Sequence, residues 1–222
     1  MKKPIFKFIL IIVLFFILII ISKIYNFIIL NKVYNAIEEF IKNENRYYSV
    51  TRKSNGELIE TDYEILKDDI GKYFIDNNDF EKYYYEIKDY KNDKQYCINT
   101  KQNQVKLDTN LTIDVKSSLL NLPRIILDIF YKGDKISFSN FLSVKYILPI
   151  KYNNKLHYKV AVNRKYLIIS SENFLPVYEY RKIANSTNDS NKFIEYIYQF
   201  KTDIVTDEDV SIPDLTDFTI IK

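Results

Sequence analysis

The chain has 222 residues, a formal net charge of +3, one cysteine and no tryptophan. Four lysines and no acidic residue lie in residues 1–30, so removing these four charges from the net +3 leaves −1 for residues 31–222. That remainder lacks the positive electrostatic footprint of a nucleic-acid-binding protein. A single cysteine excludes a disulfide within the chain, so the stability of the fold must come from packing. The part after residue 30 is long enough for one domain with a hydrophobic core.

An almost purely apolar segment, Ile5–Ile21, begins the chain behind Lys2 and Lys3. A bilayer span needs about 20 apolar residues, and the long side chain of Lys7 can reach the membrane surface, which extends the usable span. Residues 21–25 offer no pair of small residues for signal-peptide cleavage. The segment therefore favours an uncleaved anchor over a cleaved signal peptide or a buried helix of a soluble protein.

Lysines ahead of an apolar span favour the cytoplasmic side of the membrane. We therefore predict a single-pass cell-membrane protein whose N-terminus is cytoplasmic. Residues 1–30 are predicted to form the signal anchor, and residues 31–222 one extracytoplasmic domain.

An amphipathic helix is predicted to continue from the anchor. Apolar residues recur at helical spacing from Leu30 to Ile41, and polar residues such as Glu38 and Glu39 fall on the other side. These acids distinguish the helix from one that lies on a membrane, whose polar face is cationic. We expect the helix to pack on a sheet and to end within residues 43–45.

The pattern then changes to a period of two, which is typical of strands with one covered face. Apolar and polar residues alternate over Ile59–Ile65, Leu156–Val162 and Ile194–Phe200. Short strands between frequent turns predict an antiparallel, hairpin-connected sheet. The turn sequences are Asn55-Gly56, Asp76-Asn77-Asn78-Asp79, Asn92-Asp93, Gln102-Asn103, Asn153-Asn154, Asn163-Arg164 and Glu172-Asn173.

One apolar helix is predicted to interrupt the strands. Residues 122–130 can begin after Asn121 as the N-terminal cap, with Pro123 in the first turn, and stop at Gly133. Together the patterns predict an α+β fold: an N-terminal transmembrane helix followed by a curved antiparallel β-sheet, an open half-barrel covered by helices.

The last third of the chain carries a series of turn, strand and tail motifs. It resembles the outer-membrane lipoprotein-carrier (LolA-like) superfamily, in particular its anchored Gram-positive relatives. The motifs are Asn154-Lys155-Leu156-His157-Tyr158-Lys159-Val160, Tyr166-Leu167-Ile168-Ile169, Glu172-Asn173-Phe174-Leu175-Pro176-Val177, Tyr196-Ile197-Tyr198-Gln199-Phe200, Val205-Thr206-Asp207-Glu208-Asp209-Val210 and Pro213-Asp214-Leu215.

The resemblance implies a strongly curved antiparallel sheet closed by helices, between which carrier members of the superfamily hold a lipid tail. It covers about the last 70 residues, and its motifs specify turns and a cap rather than chemistry. Phe174 stands where the superfamily usually has glycine. Asn173 can itself take the left-handed conformation that a tight turn needs, since asparagine tolerates it.

Residues 206–209 could be a carboxylate cluster for calcium or a helix-type capping box. A calcium loop needs six or more oxygens at set spacing and usually a glycine at the bend, which this segment lacks. We therefore expect Thr206 to cap a short turn while Asp209 reaches back to it.

No catalytic constellation is recognisable in the sequence. His157 is the single histidine and has no Cys or acid partners at metal-site spacing, and Cys97 lies between apolar neighbours as a structural thiol would. Glycine occurs only at positions 56, 71 and 133, which excludes a glycine-rich phosphate loop. We expect no enzyme activity, no cofactor and no metal.

Aromatic and aliphatic residues that share strand faces are the remaining candidate site. They are either core residues under the helices or the lining of a cleft that accepts an acyl chain or an apolar peptide. The candidate residues are Tyr83, Tyr85, Ile87, Tyr146, Leu148, Ile150, Tyr196, Tyr198 and Phe200.

Two functions remain open from the sequence. The first is non-enzymatic binding of an apolar ligand, such as a lipid or a lipoprotein acyl chain, in a sheet–helix cleft. The second is a protein-interaction or envelope-sensing module. A wide empty cleft favours the lipid, whereas a filled core with an exposed apolar edge favours a protein partner.

Overall fold

A computed structural model describes residues 3–77, 84–109, 122–123, 126–127, 138–163, 165–182 and 193–221. The helices with defined bounds are α1 (Lys3–Lys42) and α2 (Phe138–Ser143). The strands are β1 (Asn45–Ser54), β2 (Glu57–Lys67), β3 (Ile70–Asn77), β4 (Tyr84–Asp89), β5 (Lys94–Asn99), β6 (Gln104–Thr109), β7 (Val144–Tyr152), β8 (Lys155–Val162), β9 (Lys165–Ser170), β10 (Pro176–Lys182), β11 (Phe193–Thr202) and β12 (Thr219–Ile221).

These strands form one open sheet in the order β12-β6-β5-β4-β3-β2-β1-β11-β10-β9-β8-β7. Every pairing is antiparallel except that of β12 with β6, which is parallel. The sheet is not closed, because β7 and β12 are its two edges. The predicted class, a long N-terminal helix followed by an open antiparallel sheet, is confirmed.

Helix α1 is a continuous element of 40 residues. Within the described residues, its part Lys7–Lys42 is the one helix long and apolar enough to cross a membrane, with a mean hydropathy of 3.0 in its most apolar window. The side chains from Phe8 to Ile21 are exposed, and none of them belongs to a core cluster of the described residues. A membrane span is therefore plausible from length and composition.

The second half of α1 packs on one face of the sheet, here called the inner face. Leu30, Val33 and Ile37 join strand residues such as Val160 and Leu167 in the largest core. Phe40 reaches further, into a smaller core that includes Tyr48, Val50 and Tyr198. The amphipathic helix predicted from Leu30 is thus confirmed, and it continues the apolar segment without a break.

The opposite face, the outer face, is covered over a different set of strands. Ile65 lies one position from the inner-face residue Glu64 in β2, so it points outward, where it packs with Val205 and Val210. Further along the same face, Ile87, Ile98 and Val105 form a core. The chain after β11, the C-terminal segment (residues 203–218), covers both groups through Val205, Val210, Ile212, Leu215 and Phe218.

The predicted turns are built largely on asparagine and aspartate in the left-handed conformation. Positive φ angles occur at Asn55, Asp93, Asn103, Asn154 and Asn163, with values between 48° and 63° for these and Asn153. Short polar side chains tolerate this region because they can hydrogen-bond locally. Glycine is therefore rarely needed, and in the described residues it has positive φ only at position 56.

The turn before β10 differs from the one that Asn173 could form. Phe174, not Asn173, adopts the left-handed conformation, with φ of 57°. This places strain on a bulky residue where the resemblance expects glycine. Packing offsets the strain, because the Phe174 ring stacks on Tyr158 at 5.9 Å between centroids and lies under the Lys32 ammonium at 4.8 Å.

Two other predicted features are the capping box at residues 206–209 and the helix over residues 122–130. The capping box is present: the amide and hydroxyl of Thr206 both donate to Asp209 Oδ2 at 2.8 Å, and the Asp209 amide donates back at 3.4 Å. The helix predicted over residues 122–130 lies mostly outside the described residues. Of its described part, Ile126 is buried in the core against α1.

Replacing Phe174 separates the strain at this position from its packing. Both Phe174→Ala and Phe174→Gly lose the ring contacts, but only glycine releases the left-handed strain. We expect the glycine variant to be the more stable of the two by about 1 kcal/mol. The measurement is thermal unfolding of the detergent-solubilised full chain.

Leu175 supplies the matched control, because its φ is not positive. There the order should reverse, with Leu175→Ala more stable than Leu175→Gly. The same order of alanine and glycine at both positions would contradict the assignment of strain to Phe174.

Candidate functional site

The structure does not bring the described members of the predicted cleft together. Tyr83 lies outside the described residues. Tyr85 and Ile87 face outward under the C-terminal segment. The stripe of Tyr196, Tyr198 and Phe200 faces inward, next to Phe40 of α1. The third stripe, Tyr146, Leu148 and Ile150, lies on the outer side of the edge strand β7, opposite Ala161, Lys159 and His157.

The inner face next to the end of α1 is filled by aromatic rings. Phe200 contacts Phe40 edge-on at 5.0 Å and Tyr48 at 4.8 Å between ring centroids. Tyr198 and Tyr48 are almost fully buried. In the described residues, this stripe therefore forms packed core rather than the wall of an open apolar cleft.

A buried ion pair lies beside this aromatic core. Glu179 is fully buried and accepts hydrogen bonds from Arg181 Nε at 2.7 Å and Nη2 at 3.1 Å. The Tyr198 hydroxyl donates to the same carboxylate at 2.8 Å. Burial and the nearby negative charge of Glu179 hold the pKa of Tyr198 well above its ordinary value. The group is a saturated structural network, because a bidentate arginine and a phenol satisfy the carboxylate.

Arg181→Met should leave the Glu179 carboxylate buried without its cation, at a cost of about 3–5 kcal/mol in unfolding free energy. Replacing both partners, as Glu179→Leu with Arg181→Met, should cost less than the single change, since no charge is then buried. Chemical unfolding of the detergent-solubilised chain measures both.

The exposed pair of Lys155 and Glu172, 3.2 Å apart, provides the control for this cycle. Lys155→Met should cost less than about 1 kcal/mol because water screens that pair. A double variant less stable than the Arg181→Met single variant would contradict this expectation. It would show that the ion pair contributes more to the free energy of unfolding than the cost of burying its two charges.

A polar pocket lies on the inner face beyond the end of α1. It is lined by the buried pair of Arg46 and Glu64, 3.6 Å apart, together with Tyr73, Glu86 and Lys88 among others. Arg46 also donates to the carbonyl of Ile41 in the last turn of α1. Cations favour the C-terminal end of a helix, so Arg46 fixes both the helix end and the acid.

Asp62 lies between Glu60 and Glu64 on the same face of β2. Burial, followed by repulsion from Glu60 and partly opposed by Arg52, raises the pKa of Asp62 from 3.8 to about 6. Its carboxylate is thus partly protonated near neutral pH. Such a shift marks groups in functional sites as well as structural networks.

The raised pKa predicts a specific pH dependence of stability. Between pH 4 and 6 the folded state binds more protons at Asp62 than the unfolded state, so stability should rise as the pH falls through this window. Asp62→Asn should be more stable than the parent at pH 7 and should lack that rise. Urea unfolding at a series of pH values tests this, and a parent-like slope in the variant would contradict it.

A row of stacked aromatic rings runs across the outer face of β7 to β11. We call it the tyrosine ladder, made of Tyr152, Tyr166, Tyr178, Tyr180 and Phe193. Tyr178 contacts both Tyr152 and Tyr166 at 5.9 Å, Tyr166 stacks on Tyr180 at 5.0 Å, and Tyr180 stacks on Phe193 at 5.5 Å. All five side chains are half-buried. The described helices and the C-terminal segment pack elsewhere, which leaves this row facing outward.

The hydroxyl groups give the ladder a polar rim. The Tyr178 hydroxyl donates to Glu195 Oε1 at 2.5 Å. Burial, followed by this hydrogen bond, raises the pKa of Tyr178, so the phenol stays protonated. The Lys159 ammonium lies 4.3 Å from the centre of the Tyr166 ring, a cation–π contact. Apolar ring faces edged with hydroxyls and charges are the composition of protein-interaction hot spots.

Sequence analysis missed the tyrosine ladder, although part of the pattern was present. Tyr178 and Tyr180 alternate with Glu179 and Arg181, which places these two rings on one face of β10. The alternation favours burial of the tyrosines and exposure of the charges. In the structure Glu179 is instead fully buried on the inner face, and the half-buried rings lie on the outer face.

The other singled-out residues occupy structural positions. His157 is buried beside Tyr152 at 5.5 Å, and its Nδ1 lies 3.1 Å from the carbonyl oxygen of Lys155. Cys97 is half-buried, with the Gln95 amide 3.5 Å from its sulfur. Among the described residues, no group of three or more His, Cys, Asp or Glu could hold a metal ion.

Comparison with known proteins finds no matching family model and no matching curated protein. Among solved structures, the chain is similar to an uncharacterized conserved protein from Thermus thermophilus. The identity is 8%, the TM-score is 0.45, and the match covers 86% of this chain and 97% of the other. It is also similar to a chain in the crystal structure of MucB in complex with MucA(peri). That identity is 10%, with a TM-score of 0.32 and coverage of 88% and 61%.

These likenesses are too distant to support a functional argument, and this chain spans 61% of the chain from the MucB complex. The β-rich fold implied by the sequence resemblance is present. Membership of the LolA-like superfamily itself stays a prediction.

Proposed function

We propose that this chain is a membrane-anchored, non-enzymatic interaction module of the cell envelope. Helix α1 crosses the membrane with the N-terminus in the cytoplasm and carries the sheet domain on the other side. The apolar, exposed part of α1 and the lysines that precede it support this arrangement. The domain acts by binding, since no converging set of acids, bases or nucleophiles is seen in the described residues.

The tyrosine ladder is the proposed contact surface, and it carries the choice of a protein as partner. Five contiguous rings, on a sheet face that no described helix covers, form a row that water-exposed domains seldom carry without a partner. An open sheet face cannot enclose an acyl chain on all sides, whereas it can accept the flat surface of a protein. Tyrosine supplies large contact area at low conformational cost.

The alternative, an acyl chain between sheet and helix, has less support. Under α1 the described apolar side chains fill the space with one another, as at Phe40 and Phe200. The pocket beyond the helix is lined by charged groups, including Arg46 and Glu64. Desolvating those charges against a hydrocarbon would be unfavourable. A lipid ligand would therefore need a different cavity.

A photo-crosslinking amino acid in place of Tyr180 tests the proposal in the native cell. The full chain should give a discrete protein adduct at this position, because Tyr180 lies within the ladder, between Tyr166 and Phe193. Tyr166→Ala in the same chain should reduce the adduct, since it removes the neighbouring ring of the ladder, which in the parent chain stacks on Tyr180 at 5.0 Å.

The control places the same photo-crosslinker at Leu58, a side chain in β2 that is 44% exposed and lies outside the ladder. We expect no matching adduct there. Adducts only with lipid at position 180, or an equal protein adduct at both positions, would contradict a protein partner at the ladder.

A further inference from the structure

The apolar helix enters the domain without a flexible joint. Lys23, just after the apolar segment, donates from Nζ to the carbonyl of Val144, the first residue of β7, at 2.9 Å. One turn later the Phe27 ring contacts Phe141 of α2 edge-on at 5.8 Å between centroids. Since α1 is continuous over 40 residues, the direction of the helix in the membrane sets the direction of the domain.

The course of α1 over the sheet shows which part of the domain is nearest the membrane. From Lys23 at β7 to Phe40 at β1, the helix advances 17 residues, or about 25 Å at 1.5 Å per residue. The same two strands are separated by five steps in the sheet, or about 24 Å at about 4.8 Å per step. The two lengths agree only if α1 crosses the strands nearly at right angles. A helix that stands upright in the membrane therefore places the edge strand β7 lowest.

That lowest edge carries the side chains that a bilayer surface accepts. Leu142 of α2 is 53% exposed, and in β7 Tyr146 and Leu148 are 39% and 51% exposed. Leucine and tyrosine are favoured at the boundary between headgroups and acyl chains. On the same helix, Phe27 and Ile28 are exposed at this level as well.

The charge of this edge fits an anionic lipid surface. Residues 138–163 contain four lysines and no acidic residue. Two of these lysines, Lys145 and Lys151, are exposed on β7 itself. Basic residues close to an anionic membrane are attracted to its negative surface potential. A protein strand added to β7 would have to displace the Lys23 contact at Val144 and would meet Pro149, which has no amide hydrogen.

We propose that the β7 edge, made of Leu142, Tyr146 and Leu148 with Lys145 and Lys151, rests on the anionic bilayer surface beside the span of α1. This proposal depends on the membrane span of the proposed function. The contact holds the domain in one orientation, with its strands parallel to the membrane. The tyrosine ladder then begins close to the lipid and rises from β7 toward β11, about four strand spacings or 20 Å. The partner would therefore bind within a narrow layer above the membrane.

Tryptophan fluorescence provides a direct test because the chain has no tryptophan of its own. The full chain is reconstituted into phosphatidylglycerol vesicles whose acyl chains are brominated near the carbonyl end. Leu148→Trp should show blue-shifted emission and strong quenching by the brominated lipid. Ile220→Trp is the matched control: its side chain is 70% exposed in β12, at the other edge of the sheet, and it should be neither shifted nor quenched.

A third variant, Phe16→Trp, separates this proposal from the membrane span itself. Quenching of the residue 16 and residue 148 reporters, but not of the residue 220 reporter, supports the contact of the β7 edge with lipid. Quenching at residue 16 with an unquenched residue 148 overturns the edge contact alone. An unquenched residue 16 overturns the span and, with it, the edge contact. Tyr146→Trp repeats the measurement two residues away on the same face, in case Leu148→Trp disturbs folding.

Discussion

Burial of the inner face of β7, β8 and β9 is the constraint on which the other features depend. Residues such as Val160, Leu167 and Ile169 are almost completely buried, and α1 supplies Leu30 and Val33 against them. Each apolar side chain buried in this way contributes about 1.5–3 kcal/mol. The same helix carries the apolar segment ahead of Leu30. One element is therefore both the candidate anchor and part of the core, and its two roles are carried by successive parts of the same helix.

The two halves of the sheet are covered on opposite faces. Helix α1 covers the inner face from β7 to β1, and the C-terminal segment covers the outer face from β2 to β6. In an antiparallel sheet, the face that is not packed is normally exposed to water. Here the change of side leaves the outer face of β7 to β11 to the tyrosine ladder. Half-burial of the rings against one another keeps that face from being a fully open apolar surface.

Local features could be predicted from the sequence because they depend on neighbours within a few residues. The helical spacing from Leu30 to Ile41, the asparagine turns and the capping box at residues 206–209 are of this kind. The period of two in Phe193–Thr202 also predicted a strand and a common face for Tyr196 and Tyr198. What each face packs against depends on contacts with α1 or the C-terminal segment, far away in the chain.

The candidate site depends even more on contacts between residues far apart in the chain, which sequence patterns do not reveal. Alternation groups Tyr146, Leu148 and Ile150 on one face, but it does not say that this face is the outer one at the edge of the sheet. In β10, hydrophobicity alone assigns Glu179 to solvent. The carboxylate is instead buried, because Arg181 and Tyr198 reach it from positions two and nineteen residues away. At Phe174 the turn chemistry pointed to Asn173, and stacking on Tyr158 decided otherwise.

The two proposed contact surfaces share one support. Tyr166 of the ladder and Leu167 of the core are consecutive residues of β9, so their side chains lie on opposite faces of the same strand. Leu167 packs in the core that contains Leu30 and Val33 of α1, and the same helix is held to the β7 edge through Lys23. Only a tightly packed layer separates the ladder from the anchor, and such layers transmit displacement rather than absorb it. A domain joined to its anchor by a flexible linker could turn freely to meet a partner. In the proposed arrangement that freedom is lost, and the ladder is held at a defined height and angle to the membrane.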